Sequence, residues 1–185
     1  IDSKFGVALE NGEAFEIYAY AATLKNIEID GVHCHIGSQI FDVDPFHEAA
    51  RVMIDFMAQL YERLSLKVRI LNLGGGFGIK YAPEDDPLSA SEYIQKAVET
   101  VKTLSAEKGM ELPYLVFEPG RSIVANAGVT LYTVGGIKEI ENVRNYVTVN
   151  GGMGDNPRYA LYNAEYSVVV ANKADKECDY TATIA

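Results

Sequence analysis

Three short apolar runs, each closing on a polar or glycine-rich cluster and each parted from the next by a helical pattern, leave this sequence few ways to fold. The runs are EIDGVHCHIG (28–37), VRILNL (68–73) and YLVFE (114–118). Between the first two, residues 44–64 place Phe46, Ala50, Met53, Met57, Leu60 and Leu64 at the i, i+3/i+4 spacing of one helix face. Asp44 can cap that helix, and Pro45 suits its first turn. Between the second and third runs, 91–108 repeats the pattern with Ile94, Val98, Val101 and Leu104, and Gly109 is its stop. Residues 13–25 predict a further helix. His35 to Gly75 is 40 residues and Gly75 to Glu118 is 43, each long enough for the helical crossover that parallel strands need. The order predicts an α/β fold, a parallel sheet covered by helices.

From about residue 129 the texture changes. VTLYTVGGIKEI, NYVTVNGG, AEYSVVVAN and DYTATIA are β-rich and punctuated by Gly and Tyr, which places a domain boundary near 126–130. Thr181 to Ala185 read as mid-strand and the chain opens on Ile1, so it reads as cut at both ends. Sixteen Lys and Arg against 26 Asp and Glu give a net charge of −10. Nucleic acid and anionic membranes bind through clustered Lys and Arg, so neither is an expected partner. No run approaches the roughly 20 apolar residues of a membrane-spanning helix. Two cysteines, Cys34 and Cys178, stand far apart without metal or disulfide spacing, which suits a reducing, cytoplasmic setting.

Each predicted strand ends in a cluster that could do chemistry: HCHIGSQ (33–39), GGGFG (74–78) and EPGRS (118–122). Ligands of α/β sheets and barrels bind at the carboxyl ends of strands, so three clusters in register say more than one. Consecutive glycines can turn successive N–H groups toward an anion, although a plain tight turn reads the same way. The nucleotide loops are excluded: Ile79 stands where G-x-G-x-x-G needs its last glycine. Alternation puts His33 and His35 on one face of their strand. Two histidines could chelate a metal, but no further ligand cluster has the spacing, so no metal is expected. His33 reads as a core histidine; His35 and Ser38, nearer the strand end, are the site candidates. Glu118 leaves an apolar strand and needs a positive partner. That partner is either Arg121, in a structural pair, or a protonated ring nitrogen, with Arg121 left to bind an anion.

Together, HIGSQ, NLGGGFG, EPGRSIVANAG and GGMGDNPRYALY resemble, in order, the diaminopimelate decarboxylase family of alanine-racemase-like pyridoxal-phosphate enzymes. The resemblance covers essentially the whole chain. It implies that residues 1–127 are the C-terminal portion of a (β/α)8 TIM-type barrel and 128–185 part of a β-rich domain. It also implies pyridoxal 5'-phosphate as cofactor, decarboxylation of meso-diaminopimelate to L-lysine, and a homodimer with shared active sites. By motif, His35 would stack on the cofactor ring, while Ser38, Gly74, Gly75 and Gly76 would hold its phosphate. Glu118 would pair with the ring nitrogen, Gly120 and Arg121 would lie beside the cofactor with Arg121 on an anion, and Arg158 and Tyr162 would contact substrate. Asn150 replaces the usual aspartate before Gly151-Gly152, and Tyr159 replaces the usual proline after the arginine. The family's Schiff-base lysine would lie upstream of Ile1 and its C-E-S-G-D segment beyond Ala185; neither Lys4 nor Lys80 sits in the right motif, so the chain alone is expected to be inactive. Sister decarboxylases of ornithine, arginine or carboxynorspermidine, and a non-catalytic relative, are the competing readings. SIVANAG and RYALY favour a substrate with a distal carboxylate.

Overall fold

A computed structural model describes residues 5–185, and the chain divides into two compact units. Of the described residues, the first holds 5–79 and 86–123, the second 80–85 and 124–185.

In the first unit, β1 (Gly31–His33), β2 (Ile70–Asn72) and β3 (Tyr114–Val116) form a parallel sheet in the order β1-β2-β3. Its register aligns Val32 with Leu71 and Leu71 with Leu115. The strands are shorter than the apolar runs, but the hydrogen bonding continues past them. Cys34 N donates to Asn72 O, Leu73 N to Val116 O, and Glu118 N to Gly74 O. The crossovers are α2 (Asp44–Leu64) and α3 (Ala90–Glu107). Phe46, Ala50, Met53, Met57 and Leu60 of the predicted stripe are buried on α2, whereas Leu64 is only partly covered. Val32, Leu71 and Leu73 share one core with Ala50, Met53, Met57 and Leu60 of that stripe and with Ala97 and Val101 of α3, while Phe46 belongs to a second cluster with Phe77 and Tyr93. The helices therefore cover a single face of the sheet.

The helix ends differ from expectation in detail. Asp44 is the first residue of α2 rather than its cap, and the Asp42 carboxylate accepts its N–H at 3.1 Å. α3 begins at Ala90 because Ser89 closes a capping box with Glu92, which turns the chain into the helix just before the apolar stripe starts. Gly109 follows the C-cap at φ 63°, a conformation that suits a glycine stop. α1 (Glu13–Ala21) ends four residues early, and its Tyr18 hydroxyl donates to Gly31 O at 2.9 Å.

In the second unit, β4 (Val134–Ile140) pairs antiparallel with β5 (Arg144–Val149), with a register shift between Val134 and Ile137. β6 (Thr183–Ile184) lies parallel to β5. AEYSVVVAN is not a strand: Val168, Val169 and Val170 are 66%, 66% and 58% exposed. β-propensity without a neighbour to accept the backbone bonds makes no strand. One short helix, α5 (Arg158–Tyr162), lies between the segments read as β-rich.

Candidate active site

The register of the sheet builds the site. His33, Asn72 and Val116 stand in one row. Two residues on, still in phase, come His35, Gly74 and Glu118, all on the face that the helices leave open. His33 and His35 share this exposed face while Val32 and Cys34 turn to the helices, as period-2 alternation predicts. His33 is therefore not a core histidine. Its Nε2 lies 3.9 Å from Glu118 Oε2, with its side chain 53% exposed. Cys34 points into the core instead, and burial pushes its thiol up to about 11.

Glu118 is not enclosed either; 57% of its side chain is exposed. Its carboxylate accepts a hydrogen bond from Asn72 Nδ2 at 2.7 Å, and Asn72 Oδ1 accepts from Gly74 N at 2.8 Å. Asn72 thus ties the carboxylate to the glycine loop. The sequence carried a signal for it, since Asn72 is the polar residue that opens NLGGGFG, but its pairing with Glu118 follows only from the strand register.

The glycines are required for a reason beyond anion binding. A Cβ on Gly74 would stand 2.6 Å from Cys34 O, one on Gly75 would overlap Glu118 O, and one on Gly76 would overlap Gly37 O. Three loops converge here at backbone distance, and only glycine permits it. Gly74 and Gly76 also take φ of 68° and 98°. Two of the three amides are engaged within the protein. Gly74 N donates to Asn72, and Gly75 N points at His35 Nδ1 from 3.4 Å. The latter contact orients the imidazole.

Behind the loop, Phe77 stacks on Tyr93 at 5.0 Å between ring centres, and Phe46 packs against both. Tyr93 Oη donates toward the carbonyls of Ile40 and Phe41, which anchors the HIGSQ loop to the same aromatic cluster. Gln39, another residue missed from the sequence, joins the two loops directly. Its Nε2 donates to Ile79 O at 2.7 Å and its Oε1 accepts from Ile79 N at 3.2 Å.

Arg121, on the short helix α4 (Gly120–Val124), donates from Nη2 to Ser38 Oγ at 2.9 Å. A guanidinium beside a hydroxyl is a donor pair for an anion. Gly120 N donates to Glu118 O at 2.8 Å, and a Cβ on Gly120 would meet nothing within 4 Å. The first unit thus brings together His35, Ser38, Gly74, Gly75, Gly76, Glu118, Gly120 and Arg121. It offers donors for an anion at Ser38 and Arg121, and a carboxylate for a positive group at Glu118.

Arg158 and Tyr162 belong to the second unit. Both lie on α5, with the Arg158 guanidinium 5.1 Å from the centre of the Tyr162 ring. The turn before them rests on Tyr132, whose ring a Cβ on Gly151 would overlap and whose hydroxyl accepts from Asn156 Nδ2 at 3.0 Å. Asn150 Oδ1 accepts from Thr133 N at 2.7 Å, a bond that aspartate could accept as well. Lys80 Nζ donates to Pro83 O at 2.8 Å in a surface turn, and Lys4 lies outside the described residues.

The family model for the pyridoxal-binding domain of pyridoxal-dependent decarboxylases matches residues 1–125. A diaminopimelate decarboxylase of Bacillus methanolicus is 49% identical over 184 residues, covering 100% of this chain and 43% of that protein. The crystal structure of a diaminopimelate decarboxylase from M. jannaschii in complex with L-lysine superposes with a TM-score of 0.79. It is 37% identical, and the match covers 89% of this chain and 37% of that one. A lysine/ornithine decarboxylase of Vibrio vulnificus, crystallised with cadaverine, gives 0.74 at 26% identity over 92% of this chain and 44% of that one. The chain spans less than half the length of these relatives.

Proposed function

This chain belongs to the pyridoxal-dependent decarboxylase family, and from that premise we propose that a full-length protein carrying it converts meso-2,6-diaminopimelate to L-lysine and CO2, with pyridoxal 5'-phosphate as cofactor. The observation that carries the choice of substrate is the likeness to solved structures, 37% identity to a diaminopimelate enzyme against 26% to a lysine/ornithine enzyme.

The donor set of the first unit suits this cofactor, which presents an anionic phosphate and a basic ring nitrogen. When bound, pyridoxal phosphate supplies an electron sink for the charge left on carbon as CO2 departs. Ser38 and the loop of Gly74, Gly75 and Gly76 would hold the phosphate, with Gly120 lining the approach. The imidazole of His35 would lie against the ring. Glu118, fixed by Asn72, would keep a proton on the ring nitrogen and so sustain the sink. Arg121 would bind an anion, most simply a substrate carboxylate. Arg158, beside Tyr162, would read the distal carboxylate that diaminopimelate has and ornithine lacks.

The three-stranded parallel sheet with its crossover helices supports residues 1–127 as part of a (β/α)8 barrel, and the β4–β6 sheet supports 128–185 as part of a β-rich domain. A cytoplasmic homodimer with shared active sites completes the proposal. Its test is kcat/KM of the full-length protein for diaminopimelate, lysine and ornithine, with and without Arg158→Met. We expect diaminopimelate to be preferred, and its KM to rise about ten-fold or more in the variant, since hydrogen bonds to charged groups are worth about 1.5–3 kcal/mol. A wild type that prefers ornithine would transfer the assignment to the sister decarboxylases.

A further inference from the structure

We propose that Gln39 is a positioning residue for the cofactor's phosphate, acting as a side-chain rung that locks the Ser38 loop to the glycine loop. The proposal rests on the cofactor reading above and deepens it. Gln39 is one of four described non-glycine residues at positive φ, at 59°. A long side chain in that conformation is uncommon, and such residues persist only where surrounding contacts hold them. Here the contacts are explicit. Ile40 N donates to Gly76 O at 2.9 Å and Gly78 N to Ile40 O at 2.8 Å, the two bonds of an isolated parallel bridge between Ile40 and Phe77. The carboxamide of Gln39 then binds both the N–H and the C=O of Ile79, which extends that bridge by one more rung made from a side chain. Both amide ends are used and the side chain is half-buried, so Gln39 is fully committed to the junction.

The left-handed turn at Gln39 directly follows Ser38, the hydroxyl that receives Arg121 at 2.9 Å. Gly76, on the other side of the bridge, packs against Gly37 O without room for a Cβ. Releasing the rung would let the loop 37–40 move relative to 74–79, and Ser38 would no longer be held in register with the glycine loop. Gln39 itself need not touch the cofactor. Its effect should fall on the part of the ligand that Ser38 and the glycines hold, the phosphate, and spare the rest.

The experiment uses the full-length protein and compares dissociation constants for pyridoxal 5'-phosphate and for pyridoxal, which lacks the phosphate, by absorbance titration. Gln39→Gly removes the rung while easing the positive φ, so the two effects offset in part and the cofactor-free Tm should fall by no more than a few degrees. We expect it to weaken pyridoxal phosphate about ten-fold, the scale of one to two net hydrogen bonds, and to leave pyridoxal within about two-fold. Gln39→Met keeps the length and the neutrality of the side chain but loses both bonds, and should weaken pyridoxal phosphate as Gln39→Gly does. Equal weakening of both ligands, or a lower Tm with unchanged affinities, would make Gln39 a merely structural residue and overturn the proposal. If Gln39→Gly fails to fold, a wild-type affinity ratio in Gln39→Met overturns it, and a reduced ratio supports it. A wild type that binds neither ligand refutes the cofactor reading and this inference with it; a wild type that binds and a Gly variant that matches it refute the inference alone.

Discussion

Glu118 sits at the end of an apolar strand, yet its carboxylate is open to solvent and held by Asn72 rather than hidden. The expectation of a buried charge came from the hydrophobicity of YLVF, and hydrophobicity along a strand does not say which face the helices cover. Alternation does say it, and it placed His33 and His35 together on the open face. What alternation could not supply was the partner, because Asn72 is 46 residues from Glu118 and becomes its neighbour only through the register of two parallel strands. A carboxylate held by an amide and open to ligand suits tuning of a cofactor better than holding of a fold. In the full-length protein, Glu118→Gln is therefore expected to lower kcat by about two orders of magnitude or more. Cofactor content and Tm should stay near wild type, since the Asn72 contact can be remade by an amide. Loss of stability with full specific activity would instead mark the residue as structural.

Among the elements, the long helices were the most legible. α2 matches its predicted span because six apolar residues at helical spacing leave no other face to bury. The strands were legible as positions but not as lengths, since a strand ends where its neighbour stops pairing. The last third was the least legible. Val168–Val170 have the composition of a strand and no partner, and α5 has a composition that permits helix but no long apolar stripe. The N-terminus of α3 offers a sharp test at this scale. Ser89 Oγ accepts from Glu92 N at 3.2 Å, and Glu92 accepts in return from Ser89 N at 2.8 Å. Ser89→Ala should cost about 1 kcal/mol of stability, measured by urea unfolding. The hydrogen bonds from Ser89 lower the Glu92 pKa. That contribution is therefore present above the usual glutamate pKa and is lost as pH falls through the lowered value. The gap between wild type and variant should be full at pH 7 and narrow on acidification below the ordinary carboxylate range. A gap independent of pH would mean that the glutamate carries none of it.

At the scale of the whole molecule, one face of the first sheet is covered by helices and the other carries the site in the open. Tyr114 and Val116 on that open face are 74% and 38% exposed. A site from which water is not excluded weakens every electrostatic contact inside it. No lysine of this chain stands in a cofactor-attachment motif. The 185-residue chain by itself is thus expected to release no CO2 from diaminopimelate and to leave no pyridoxal on a lysine after borohydride treatment, whereas a full-length protein carrying it is expected to show both turnover and labelling. Turnover by the segment alone would show that it needs nothing beyond itself. The meeting of three loops on Gly74, Gly75 and Gly76 has a consequence for how such a protein can diverge. Backbone rests on backbone at that junction, whereas the candidate side chains at 35, 38, 118 and 121 are tied to it or to one another by hydrogen bonds alone. Exchanging one of them removes a hydrogen bond, whereas a side chain placed on any of the three glycines would push the loops apart and displace all of them together.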